Sequence, residues 1–338
     1  MTTRRDALLT LPLLYAAFGA SAQAPKAGPP KRMGYLALGS DITTPRSERP
    51  FYIAMSKKGW ILGDNLLPEP AYADFQAERL AGLAEELVRK RVDAIWCNGP
   101  GATLAAVRAT RTIPVVFQNV GMPVELGLID SYGRPGRNAT GHAFFTGIEV
   151  DTKRLEFLRE IAPAAKRLSW LISADYISSE TLAGGRYEYG QLLEAAAKGL
   201  GFETRFHPLR APQDIDAAFG DITAWRAQAL AGGGLQVHEA RQRIAELALR
   251  HRLSSAFHLR WNVEAGGLLS YGIPPSEFAY IDSRIVEYMD RILRGTPPAD
   301  LPVERPSRYE LVINAKTAKT LGLTIPPALQ ARADDVIR

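Results

Sequence analysis

Phe75-Gln-Ala-Glu-Arg-Leu-Ala-Gly-Leu-Ala-Glu-Glu-Leu-Val-Arg-Lys90, Val92-Asp-Ala-Ile-Trp-Cys97 and Ile113-Pro-Val-Val-Phe117 follow one another closely, and their reading decides the fold. In the first run apolar residues fall at 80, 83, 84, 87 and 88, the three-to-four spacing of an amphipathic helix. The other two are short apolar runs of strand length, and a helix is expected between them from about Ala102 to Ala109. Upstream, Lys31–Leu38 reads as a buried strand ending in the polar turn Gly39-Ser40-Asp41, and Leu66–Tyr72 as a second strand. Strand and helix alternating in this rhythm predict a parallel α/β sheet with right-handed crossovers.

The rhythm then restarts. Thr152–Ile161 reads as a helix, Arg167–Ile172 as a strand, and Leu192–Gly199 as a helix stopped by Gly199-Leu-Gly201. Glu203–His207 and Ala227–Ala231 are strand candidates, the second closing on Gly232-Gly-Gly234; Gln236–Arg250 is expected to be one helix and Ser255–His258 a strand. Two similar α/β halves with no Pro/Ser-rich linker between them predict two lobes joined by hinge strands.

The first 24 residues read as a signal peptide: Arg4-Arg5, an apolar stretch from Ala7 to Phe18, then Gly19-Ala-Ser-Ala-Gln-Ala24. The paired arginines fit the twin-arginine type, and cleavage is expected near Ala22 or Ala24, giving a periplasmic protein. A dozen apolar residues are too few to span a hydrocarbon core, which needs roughly 20. Residues 25–32 read as a flexible leader. The net charge is +5 with the basic residues scattered, which argues against a nucleic-acid partner. Cys97 is the sole cysteine, so no intramolecular disulfide forms and stability rests on packing. At the end of an apolar strand it is expected to be a small buried hydrophobe.

Several ordered runs carry a family resemblance. They are Thr110-Arg-Thr-Ile-Pro-Val-Val-Phe117, Arg134-Pro-Gly-Arg-Asn-Ala-Thr-Gly141, Lys153-Arg-Leu-Glu156, Ala265-Gly-Gly-Leu-Leu-Ser-Tyr-Gly272, and a tail of Pro297–Glu304, Tyr309–Pro326 and Ala331–Ile337. Together they resemble the ABC-transporter substrate-binding family whose characterised relatives include tryptophan- and tyrosine-binding proteins. The resemblance implies a type I periplasmic-binding-protein fold: two Rossmann-like lobes with parallel sheets, three hinge crossings and a closing cleft. Lobe 1 is then expected over 33–142 plus about 272–298, and lobe 2 over 143–271 plus about 299–338. The chain departs from the family pattern at Met122-Pro-Val124, where members commonly read Asp-Pro-Val, and at Ile281-Asp-Ser-Arg-Ile285, where they often read Arg-Arg-Ala. The glycines at 136, 141, 266 and 267 are expected to serve chain reversal or close backbone approach before ligand contact.

In open α/β sheets ligands sit beyond the carboxyl ends of the strands, which nominates the cleft residues. From the first lobe these are Ser40, Asp41, Asn98, Gly99, Phe117 and Gln118. From the second they are Ser173, Asp175, Tyr176, Gly233, His258 and Arg260, with Tyr271 on a returning strand. Phe117, Tyr176 and Trp261 suit stacking on a flat ligand, Asp41 or Asp175 an ammonium, and Arg260 a carboxylate. Each has a plainer role open to it: Ser40 and Asn98 as helix caps, Asp175 as a turn residue, Trp261 as core.

No catalytic signature is present: no phosphate-binding loop, no Gly-x-Ser-x-Gly elbow, no Cys-x-x-Cys, and His238-Glu239 lacks the second histidine of a zinc helix. No cofactor or metal is expected, the five histidines being dispersed. The expected partners are a small polar or amino-acid-like solute and the permease and ATPase subunits of an importer, with only peripheral contact at the membrane. The competing reading is a periplasmic ligand-sensing co-receptor, since the same fold serves regulators.

Overall fold

The computed structural model describes residues 29–41, 44–144, 147–174 and 189–338. The signal peptide, residues 25–28 of the leader, and the candidates Asp175 and Tyr176 lie outside the described residues; Lys31 and Arg32, read as leader, belong to the first strand.

The first sheet has the order β2-β1-β3-β4-β5, all parallel, formed by β1 (Lys31–Ala37), β2 (Leu66–Tyr72), β3 (Ala94–Asn98), β4 (Val115–Val120) and β5 (Ala139–Ala143). Its helices are α1 (Pro50–Lys57), α2 (Arg79–Arg89) and α3 (Pro100–Ala109). α2 buries Leu80, Ala84 and Leu87, the stripe its spacing predicts. It begins at Arg79 and not at Phe75, because Asp74 and Phe75 take left-handed backbone (φ 50° and 62°) that turns the chain off β2. β4 starts after Pro114, whose missing N–H cannot join a ladder.

The second sheet follows as β6 (Arg167–Ser173), β7 (Glu203–Leu209), β8 (Ala229–Gly233), β9 (Ser254–Phe257), β10 (Leu269–Gly272), β11 (Glu310–Asn314) and β12 (Asp335–Ile337), in the order β12-β11-β10-β9-β8-β6-β7. Only β10 and β11 pair antiparallel. Its helices are α4 (Glu149–Ile161), α5 (Tyr189–Gly199), α6 (Ile215–Ala224), α7 (Leu235–Glu239), α8 (Arg241–Arg250) and α9 (Arg260–Glu264). The single helix expected over 236–250 is two, broken at Ala240. Gln236 is buried and tied to the Ser173 hydroxyl and the Arg210 carbonyl, which holds α7 over the strand ends. α8 meanwhile turns Ile244, Leu247 and Ala248 into the core.

The chain passes between the sheets after β5, after β10, and between Glu304 and β11. The long helix α10 (Pro275–Leu293) returns to the first sheet, burying Ile281, Ile285 and Met289 in the apolar layer that also holds Met33, Tyr52, Met55 and Val116. Residues 301–304 run beside β5, with Thr140 Oγ1 donating to the Leu301 carbonyl at 2.6 Å and Ala143 N to the Glu304 carbonyl at 2.9 Å. Two short helices, α11 (Ala315–Leu321) and α12 (Pro327–Arg332), complete the second lobe; α11 is capped by Asn314 and ends on Gly322 (φ 74°), and α12 opens on proline. The two-lobed parallel α/β architecture expected from the sequence is thus present.

Candidate functional site

The carboxyl ends of the second sheet close around a cavity of ≈ 60 Å³. Its floor is Trp170, Ile172 and the Gly232–Gly234 run; α4 contributes Val150, Asp151 and Arg154, and α5 Tyr189 and Leu193. Phe144, Ile273 and Tyr309, one from each passage between the sheets, complete the wall. The glycines are there because space is short: a Cβ on Gly234 (φ 104°) would lie 2.6 Å from the Ser173 Cβ, and one on Gly233 3.2 Å from His258 Nδ1.

Charge in this cavity is paired. Arg154 is 4% exposed and Asp151 7%. The Arg154 guanidinium donates through Nη1 to Asp151 Oδ1 and through Nε to the Tyr271 carbonyl at 3.0 Å, while the Tyr189 hydroxyl donates to Asp151 Oδ2. His258 sits against the same wall, with Nδ1 3.3 Å from the Gly232 carbonyl and its ring edge-on to Phe144 at 5.8 Å. Burial pushes its pKa down to about 3, with the Arg154 charge acting in the same direction, so it is neutral in the folded protein.

In the first lobe an aromatic group lies between α1 and one face of the sheet. Trp96 stacks on Phe51 at 4.5 Å and meets Tyr35 edge-on at 4.7 Å, with Tyr72 a further 5.5 Å from Tyr35. Burial raises the Tyr35 hydroxyl to about 12, Asn98 beside it acting the other way. Arg49 donates to Tyr72 Oη at 3.1 Å and to Asp41 at 2.8 Å. Desolvation raises the Asp41 carboxyl, but hydrogen bonds from Tyr72 and Arg49 and the charges of Arg49 and Arg46 together outweigh it and hold the group below its ordinary value. A wider interlobe space of ≈ 900 Å³ lies between Leu38, Phe75, Leu104 and Arg108 on one side and Ala174, Arg210 and Gln236 on the other. The lobes touch at its edge, where a carbon at the Gly39 Cβ position would be 3.5 Å from Leu235 Cδ2.

The residues nominated from the sequence distribute as follows. Gly233 and His258 line the 60 Å³ cavity, and Ser173 lies just behind it, bonded to Gln236. Tyr271 holds Arg154 by its carbonyl and stacks on Tyr309 at 5.8 Å. Asn98 accepts from Asn119 Nδ2 at 2.8 Å, Gly99 turns the chain with φ 88°, and Ser40 and Asp41 are exposed. Phe117 is fully buried, and Gln118 donates to Asp282 Oδ1 at 2.8 Å. Arg260 is engaged by Glu264, Glu310 and Asp335 at 2.9, 3.2 and 2.5 Å. Trp261 packs on Phe278 and His238. Cys97 is buried, its thiol pKa raised by desolvation. Among the described residues no group of three or more His, Cys, Asp or Glu is placed to hold a metal, and no helix is long and apolar enough to cross a membrane.

A sequence profile described as ABC transporter substrate binding protein matches residues 51–337. The chain belongs to this family. Among curated relatives of this substrate-binding protein is a tyrosine-binding protein of Clostridioides difficile (strain R20291), 23% identical over 297 residues, covering 87% of this chain and 81% of the relative. Among solved structures, an ABC domain in complex with L-Trp from Streptococcus pneumonia overlays with a TM-score of 0.72 at 20% identity, covering 91% of this chain and all of the other. A conserved domain protein from Vibrio cholerae gives 0.72 at 23% identity, covering 90% and 99%. The ligand-free, open structure of a substrate binding protein with adhesive properties from Clostridium difficile gives 0.55 at 20% identity, covering 91% and 99%. These likenesses place the chain in the type I periplasmic-binding-protein fold, and the family is one of solute binders and not of enzymes.

Sequence reasoning passed over Asp151, Arg154 and Tyr189, which line the cavity. Asp151 and Arg154 sit three apart in α4, where residues three apart share a face, and both are charged on a face that also buries Leu155 and Leu158. A charged pair inside an apolar helical stripe was the available signal. Phe144, Ile273 and Tyr309 gave none, since each lies in a passage between lobes and not at a strand end of its own sheet.

Proposed function

We propose that this protein is the extracytoplasmic solute-binding component of an ABC importer, closing two lobes over a small amino-acid-like solute and delivering it to a permease. The observation that carries the reading is the cavity at the ends of the second sheet, walled by Phe144, Ile273 and Tyr309 from the passages between lobes. A rotation about those passages opens and closes that wall, so a solute held there binds the closed state in preference and shifts the population toward it. Residues 1–24 serve as a twin-arginine signal peptide for export to the periplasm. The first lobe corresponds to 33–142 plus about 272–298, extended by residues 301–304 that run beside β5, and the second to 143–271 plus the remainder of 299–338. Gly233, His258, Ser173 and Tyr271 contribute from the second lobe, and Asn98, Gln118 and the Ser40-Asp41 turn from the first. No chemistry on the solute is required.

The relatives described as tyrosine-binding and in complex with L-Trp make aromatic amino acids the first solutes to try. In a thermal-shift screen of amino acids, a true solute at about a hundredfold over its Kd adds roughly 2.7 kcal/mol, raising Tm by several degrees. Absence of any stabilising solute, together with detected turnover of one of them, overturns the reading.

A further inference from the structure

We propose that Arg154 receives the carboxylate of the solute in the second-lobe cavity, its guanidinium pre-set for that role by Asp151 and the Tyr271 carbonyl. This rests on the reading of the chain as a solute-binding protein, and assigns the group that selects the solute's charge.

Arg154 lines the cavity and is almost wholly buried. Nε is spent on the Tyr271 carbonyl and Nη1 on Asp151, whereas among the described residues no hydrogen bond is found for Nη2. Nη2 is thus the unspent donor of a guanidinium that lines the cavity, and an acceptor presented there by a solute meets a charged, oriented partner. Asp151, by contrast, has each oxygen engaged, one by Arg154 and the other by the Tyr189 hydroxyl. The spare capacity of the charged pair is therefore a cation's donor and not a carboxylate's acceptor.

Geometry favours the same class of ligand. A guanidinium presents a planar fork that matches a carboxylate, and one whose plane is fixed by two other hydrogen bonds loses little freedom on binding it. Apolar surface from Phe144, Ile172, Leu193 and Trp170 surrounds the fork, excluding water that would weaken the contact. Arg260, the residue nominated from the sequence for this task, is already shared among three carboxylates.

Calorimetric titration of the purified protein with three matched sets of compounds tests the assignment. The sets are L-tyrosine and L-tryptophan, the corresponding amines lacking the carboxylate (tyramine and tryptamine), and the arylpropionates lacking the ammonium. Loss of the carboxylate is expected to weaken binding about tenfold to a hundredfold or more, and loss of the ammonium to matter less. Arg154→Lys, which keeps the charge but not the fork, is expected to weaken the carboxylate-bearing compounds and leave the amines unchanged. Because removing one member of a buried pair destabilises a fold, the double variant Asp151→Asn/Arg154→Gln, which discharges both at once, is measured beside it. Amines that bind as tightly as their parent amino acids overturn the proposal whether or not any variant folds. So does a folded double variant with undiminished affinity for the amino acid. In both cases the solute-binding reading stands. If no carboxylate-bearing compound binds the unaltered protein while another solute does, Arg154 is again the wrong assignment. If none of these compounds binds, the assignment of Arg154 to an aromatic amino acid's carboxylate falls, and the broader reading is decided by the wider thermal-shift screen.

Discussion

His258 shows how one side chain's surroundings translate into a property of the whole protein. The unfolded chain takes up a proton on this histidine near pH 6.5, while the folded protein, with its pKa near 3, does not. Between those values the unfolded state binds more protons, so stability falls as the pH drops, by up to about 1.4 kcal/mol per pH unit, and is level above about pH 7. His142, His207 and His238 are shifted the same way by burial and add to the slope. In urea unfolding at pH 7.5, 6 and 5, His258→Gln is expected to lose less stability on acidification than the unaltered protein, by about one proton's worth of slope. Parallel losses mean that His258 already titrates in the folded state.

Between elements, the spacing of adjacent strands sets which glycines can change. At Gly272, the last residue of β10, a Cβ would sit 1.8 Å from the His258 carbonyl oxygen, a backbone atom that cannot move without displacing the strand end. Gly272→Ala is expected to cost about 1–3 kcal/mol or more and to disturb the cavity wall. Gly82 is the contrast: it lies exposed within α2 and a Cβ there meets nothing within 4 Å. Gly82→Ala is expected to stabilise by about 0.5–1 kcal/mol. Denaturation midpoints of the two variants check both signs. The Ala240 break belongs to this scale too. A period of 3.6 runs through 236–250, yet the helix breaks at Ala240, and Gln236 in the first piece is bonded to Ser173 and Arg210, residues distant in sequence.

For the whole molecule, the proposed closure brings the lobes together where Leu235 faces Gly39, a carbon at the Gly39 Cβ position lying 3.5 Å from Leu235 Cδ2. Leu235→Asp places a charge where the lobes meet and is expected to weaken solute binding at least tenfold while leaving the thermal midpoint without ligand nearly unchanged. Small-angle scattering of that variant is expected to show a larger radius of gyration. Unchanged affinity and dimensions mean that this edge takes no part in closure.

The sequence by itself determined the alternation of strands and helices, the doubling into two α/β halves and the family. Local periodicity and turn chemistry are written in neighbouring residues, as in the stripe of α2 and the Gly232–Gly234 turn. It also placed His258 and Gly233 at a cavity, because a strand's carboxyl end is a position along the chain. Only the tertiary structure decided that Arg260 is consumed by Glu264, Glu310 and Asp335, while Arg154, unremarked in its helix, is buried beside Asp151 with a donor to spare. The physical reason is that a charge's availability depends on what surrounds it in space. Glu310 and Asp335 lie 50 and 75 residues from Arg260, and Tyr271 117 residues from Arg154, beyond the reach of any local pattern.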